Sequence, residues 1–216
     1  MNKSYTVVLS AIVLMAVFFG ATKVFQQQQD KESEAIAYQN AAMLERDYAA
    51  TRGDPNAKVA IVEFFDPACE TCRAFHPFVK KLMDENPGKV RLVMRYAPLH
   101  PGSDYVVSLL EATKQQGKFW ETLEAAYVAQ SEWASHRNPQ PESIWKWIGD
   151  VGLNIEKVKK AMLSVEVLEN VQQDVTDGQL LGVTKTPSFF VNGKPLVRFG
   201  YEQLRDLVEA ELRNAY

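Results

Sequence analysis

Val59-Ala60-Ile61-Val62-Glu63-Phe64-Phe65, followed by Asp66-Pro67-Ala68 and then Cys69-Glu70-Thr71-Cys72, is the stretch that decides the fold. Valine, isoleucine and phenylalanine dominate its first half, which reads as a buried strand over 58–66. Asp66-Pro67-Ala68 supplies the turn, and Cys69 opens a helix running to about residue 85. The chain's two cysteines both lie here, three positions apart. That spacing brings their sulfurs within bonding reach, and a helix N-terminus favours a thiolate, so the pair can open and close a disulfide. A four-cysteine zinc site is excluded because no second pair exists.

Working outward, Pro77 falls inside the helix and Asn86-Pro87-Gly88 stops it. A second strand is expected over 90–96. Residues from about 103 to 181 are almost wholly helical in pattern, with breaks at Gly117, Asn138-Pro139-Gln140-Pro141 and Gly152. Trp120, Trp133, Trp145 and Trp147 read as core of that helical region. Strands over 186–191 and 195–199 flank Asn192-Gly193, a strong type I′ hairpin signal. A closing amphipathic helix covers 201–214.

Upstream, Gln26–Gln29 and the charged residues to Glu34 read as a solvated spacer, and 35–50 as a stalk helix. Arg52-Gly53-Asp54-Pro55-Asn56 marks the entry to the folded domain. Residues 4–22 carry no charge and are mostly apolar, with Lys3 before them, long enough to span a bilayer as a helix. Cleavage after Ala21 would place Phe19 where a small residue is preferred, so residues 1–24 read as an uncleaved signal anchor rather than a signal peptide. Either reading sends 25–216 out of the cytoplasm. The expected location is the inner membrane, single-pass, with the catalytic domain in the periplasm or extracytoplasmic space. The net charge of -3, without a basic stripe, argues against nucleic acid as a partner. A hydrophobic content of 46% supports an ample core.

Taken together, these residues resemble the DsbA-like branch of the thioredoxin superfamily over roughly 57–216. The resemblance rests on Cys69-x-x-Cys72 at the strand-to-helix junction, Glu63 six residues earlier, Pro77 eight residues later, and Lys185-Thr186-Pro187-Ser188-Phe189-Phe190-Val191-Asn192-Gly193. It implies an α/β thioredoxin-like fold with a helical domain inserted at about 102–182. The whole organisation is then an anchor at 1–24, a spacer and stalk at 25–52, and the catalytic domain at 53–216. Also implied are a redox-active Cys69–Cys72 disulfide, a cis Thr186–Pro187 bond, and substrate binding along Thr186 and Pro187. Cys69 is the expected attacking sulfur, Cys72 the resolving one, and Glu63 the proton acceptor for Cys72.

A free thiol has a pKa of about 8.5. Lowering it by ~3 pH units stabilises the reduced thiolate by about 4 kcal/mol and makes the disulfide more oxidising by roughly 90 mV. Strongly oxidising relatives resemble Cys-Pro-His-Cys, whereas here Glu70-Thr71 intervenes. The Glu70 charge should oppose a neighbouring thiolate, giving a less acidic and less oxidising Cys69. Thr186 points the same way, because oxidases often carry valine there. His76 reads as a helix-face residue, and His100 as an organiser of the entry to the insertion.

The expected function is thiol–disulfide exchange on cysteines of exported proteins, with no cofactor beyond Cys69 and Cys72 and a membrane redox partner to reset the pair. Its oxidase or isomerase/reductase direction stays open. The alternative is an exported chaperone using the two thiolates as a copper or zinc clip.

Overall fold

The computed structural model describes the backbone of residues 3–216 and side chains from Leu9 onward, Ser10 excepted. The decisive stretch folds as expected. Strand β2 (Val59–Phe65) leads into helix α2 (Glu70–Asp84), and strand β3 (Val90–Tyr96) follows. Helices α3 (Ser103–Thr113), α4 (Phe119–Val128), α5 (Gln130–Trp133), α6 (Ile155–Met162) and α7 (Val165–Leu180) then run before the chain returns to the sheet. Strands β4 (Ser188–Val191) and β5 (Lys194–Pro195) form the hairpin, and α8 (Tyr201–Ala215) closes the chain. Asn192 and Gly193 have φ of 48° and 86°, the left-handed pair that a type I′ turn demands.

Two elements depart from the sequence reading. The second hairpin strand is Lys194–Pro195 instead of running to 199, although the Leu196 N–H still donates to the Phe189 carbonyl. The stalk helix over 35–50 is instead the end of α1 (Lys3–Gln39), and beyond it Ala50–Arg52 forms β1, antiparallel to β3. The chain therefore joins the sheet before the boundary marked by Gly53. β1 is three residues long and lacks an apolar run, so local pattern could not reveal it.

The sheet order is β1-β3-β2-β4-β5, with β2 and β3 parallel and the other pairs antiparallel. Central β2 is buried on both faces, which explains its unbroken apolar run. Val59, Ile61 and Phe65 face the main core beneath α2 and the inserted helices. Val62 and Phe64 face a smaller core closed by Ala37, Leu44, Leu181 and Val183. Burying side chains such as Ile61 and Phe65 contributes about 2–3 kcal/mol each. Side chains alternate along a strand, so Glu63 shares the face of Ile61 and Phe65, towards the cysteines.

Among the described residues no helix is long and apolar enough to cross a membrane, so the span expected over 4–22 is not found. The side chains of residues 4–8 and of Ser10 within that stretch lie outside the described residues.

Candidate active site

The site is assembled where β2 hands over to α2. Cys69 is the N-cap of α2, with extended backbone, and its Sγ accepts the Cys72 N–H at 3.4 Å. Both cysteines are present as thiols, so the structure is of the reduced state and the expected Cys69–Cys72 bond is open. Cys69 is 5% exposed and Cys72 fully buried, which makes Cys69 the sulfur that can meet a partner.

From the opposite side, the Thr186–Pro187 bond is cis and the Thr186 carbonyl accepts the Cys69 thiol at 3.3 Å. Thr186 and Pro187 thus stand beside the cysteines although more than a hundred residues separate them in sequence. The Cys69 thiol is lowered from 9.0 to about 5. The Cys72 thiol is the largest cause. The Thr186 side chain and the Cys72 and Thr71 backbone N–H groups add to it, against the opposing effect of burial. Burial, above all, pushes Cys72 well upward. One member of the pair is therefore ready as a thiolate while the other holds its proton.

Glu63 lies beneath them, 1% exposed, with no hydrogen-bond partner on either carboxylate oxygen. Burial, and then the Cys69 charge, raise it from 4.5 to about 8. Its face and environment suit it to exchange a proton with Cys72 near neutrality.

The Glu70 carboxylate meets Nε2 of His136, from the inserted region, at 3.1 Å, and the largest influences on Cys69 are Cys72, burial, Thr186 and the helix-end amides. His100 does organise the entry to the insertion, because its N–H and Nδ1 both bond Asp66 Oδ2.

Sequence reasoning missed two residues here. Asp66 is fully buried and accepts bonds from the Ala68, Leu99 and His100 amides and from Ser103 Oγ, which ties the cysteine turn to the loop after β3. Its one sequence signal was an aspartate two residues before a backbone N–H that it can cap. Gln130 reaches from α5 to donate to the Pro67 and Cys69 carbonyls at 2.8 and 3.0 Å, a contact without local signature. Trp133, fully buried, donates to Ala126 O and belongs to the core as expected, whereas Trp147 is half exposed. Among the described residues no group of three or more His, Cys, Asp or Glu side chains is placed to hold a metal ion.

A thioredoxin family model matches residues 45–210. A solved thioredoxin-like oxidoreductase from Silicibacter pomeroyi is 31% identical, with a TM-score of 0.69, covering 81% of this chain and 97% of that one. The probable disulfide bond formation protein D of Bacillus anthracis is 28% identical over 96% of this chain and 94% of its own length. The Na(+)/H(+) antiporter NhaA 3 of Salinispora tropica is 30% identical over 66% of this chain. The chain spans 21% of that antiporter's length and similarly small shares of the other antiporters it matches.

Proposed function

We propose a redox function from one premise: the chain belongs to the thioredoxin family, whose model spans residues 45–210. It is a thiol:disulfide oxidoreductase of the DsbA type. The observation that carries this reading is the Cys69 thiol, lowered to about 5 at a helix N-terminus and 3.3 Å from the Thr186 carbonyl.

In the oxidised state a client thiolate attacks Cys69 Sγ, the Cys69–Cys72 bond breaks, and Cys72 leaves and takes up a proton. A second client thiolate then attacks the client sulfur of the mixed disulfide. The client leaves oxidised and Cys69 leaves as a thiolate. In the reverse sense Cys72 gives its proton to Glu63 and attacks Cys69 Sγ, and the client leaves reduced. Thr186 and Pro187 line the approach, where an extended client segment adds to the sheet edge through backbone hydrogen bonds.

The clients are cysteine-bearing exported proteins, and a membrane redox partner resets Cys69–Cys72. The uncharged run at 4–22 supports a single-pass anchor in the inner membrane with the catalytic domain outside the cytoplasm. Large apolar side chains from Leu9 to Phe25 around α1, Phe18 and Phe19 among them, are more than half exposed, an arrangement that suits lipid better than water.

The test is equilibration of the full chain with glutathione buffers and with a dithiol peptide. Exchange that disappears in Cys69→Ser is expected. A wild-type chain that neither oxidises nor reduces the peptide overturns the reading.

A further inference from the structure

Cys72 is fully buried and Glu63 is 1% exposed, yet exchange requires both to gain and lose protons. A route to solvent must therefore exist, and buried polar atoms lacking protein partners mark where one could run. Beyond Glu63, such atoms include the Tyr127 hydroxyl and both ring nitrogens of His76.

These two side chains line a surface cavity of about 560 Å³ between α2 and α4, with Arg73, Pro77, Lys80 and Glu124 also on its wall. The Tyr127 and His76 rings lie 5.4 Å apart. On the inner side, Tyr127 packs in the same core cluster as Cys72 and is 4% exposed. Cys72 and then Glu63 are the charges that act most strongly on its hydroxyl. On the outer side, His76 Nε2 stands 3.8 Å from Glu124 Oε1, which is open to solvent. Unpartnered polar atoms thus stand both at the floor of the active site and on the wall of this cavity, whose lining does not include Thr186 or Pro187.

We propose that Tyr127 and His76 relay protons between the buried Glu63–Cys72 pair and solvent in the cavity between α2 and α4. The relay rests on the exchange chemistry above. When Cys72 resolves a mixed disulfide, its thiol proton passes to the Glu63 carboxylate. The Cys72–Cys69 bond forms, the Cys69–client bond breaks, and the client leaves as a thiolate. Glu63 then returns to its carboxylate by passing the proton through ordered water to the Tyr127 hydroxyl, which hands on its own. Neutral His76 accepts at one nitrogen and releases at the other towards Glu124. The charged groups facing His76 are Glu124 from α4, Lys80 from α2 and Arg52 from β1. Lys80 and Arg52 both pair with Glu124, at 2.8 and 3.5 Å, so the outer end stays anchored.

The test uses the reduced full chain and a single-cysteine peptide activated as its aryl disulfide. Cys69 first captures the peptide, and the rate at which Cys72 then releases it is followed by mass after acid quench. Tyr127→Phe is expected to slow release about tenfold, as fits a group one step removed from the general base. The solvent deuterium isotope effect should rise and the reduction potential stay unchanged. His76→Ala should behave likewise and recover when imidazole is added.

Wild-type release rates and isotope effects in both variants overturn the relay. So does slowing that comes with a shifted potential and no imidazole recovery. Should His76→Ala fail to fold, Tyr127→Phe decides by its isotope effect. A wild-type chain that never captures the peptide sinks the exchange reading and the relay together, whereas normal capture with unaffected variants sinks the relay alone.

Discussion

The Sγ of Cys69 lies 3.3 Å from the carbonyl oxygen of Thr186, a residue 117 positions further along the chain. The contact sets the cysteine turn against the start of β4, so a client strand binding beside Thr186 would arrive at the reactive sulfur. It also places a polar side chain next to the site where charge develops.

That side chain can be tested directly. The Thr186 hydroxyl is buried without a partner in the dithiol state and helps lower Cys69. Contrary to the less oxidising effect expected of a threonine here from the sequence, Thr186→Val should raise the Cys69 pKa by about half to one pH unit. The reduction potential should then fall by roughly 15–30 mV. Ultraviolet titration of the thiolate and glutathione equilibration measure the two effects, and a potential that rises instead contradicts this role for the hydroxyl.

The pH dependence of the potential follows from Cys69 itself. Its folded value is depressed from 9.0 to about 5, so thiolate stabilisation of the reduced fold is complete above pH 9 and is lost as pH falls through 5. Between about pH 5 and 7 reduction takes up one proton per two electrons, and the potential should change by about 30 mV per pH unit. Below about pH 5 two protons are taken up and the slope should steepen to about 59 mV. A single steep slope down from pH 7 would mean that Cys69 is not depressed. Active-site thiols of this kind run from about 7 in thioredoxin to about 3.5 in DsbA, and Cys69 falls between them.

Glu63 acts on stability with the opposite sign. Burial raises it from 4.5 to about 8, so its charged form is disfavoured in the fold. The penalty is absent below pH 4.5, grows to pH 8 and is constant above that. Glu63→Gln should therefore stabilise the reduced protein at pH 7, by at most about 3 kcal/mol, with the gain vanishing near pH 4.5. Release of a client by Cys72 should slow roughly 10²-fold in the same variant. Urea denaturation at several pH values reads the first effect, and a gain independent of pH would refute the assignment.

Arg95 is the structural counterpart. It is fully buried, bonds Asp174 at 2.8 Å and Asp177 at 2.6 Å, and donates to the Met43 and Leu44 carbonyls. It thereby fastens the segment after α1 to β3 and α7. Arg95→Ala leaves two buried carboxylates without this partner and should cost about 3–5 kcal/mol in denaturant titrations. A loss below about 1 kcal/mol would show that Arg46, Tyr48 and Gln173, which also bond these aspartates, suffice alone.

Much of the architecture was legible because its causes are local. The apolar run at Val59–Phe65, the N-cap geometry of Cys69, the stop at Asn86-Pro87-Gly88 and the positive-φ pair Asn192-Gly193 each act within a few residues. The cysteine pair and the Thr186-Pro187 segment could be read by motif. β1 could not, since three residues without an apolar pattern become a strand only when β3 offers a free edge.

The chain alone determined that two cysteines would meet at a strand-to-helix turn, because spacing and helix capping are properties of a short peptide. Only the folded molecule decided which groups surround them: which way Glu63 faces, that Glu70 turns to His136, and that Asp66, Gln130 and Tyr127 gather behind the sulfurs. Those outcomes depend on packing between segments that sequence distance keeps apart. A buried charge or hydroxyl takes its chemistry from those neighbours and from the loss of water, and neither is encoded at its own position.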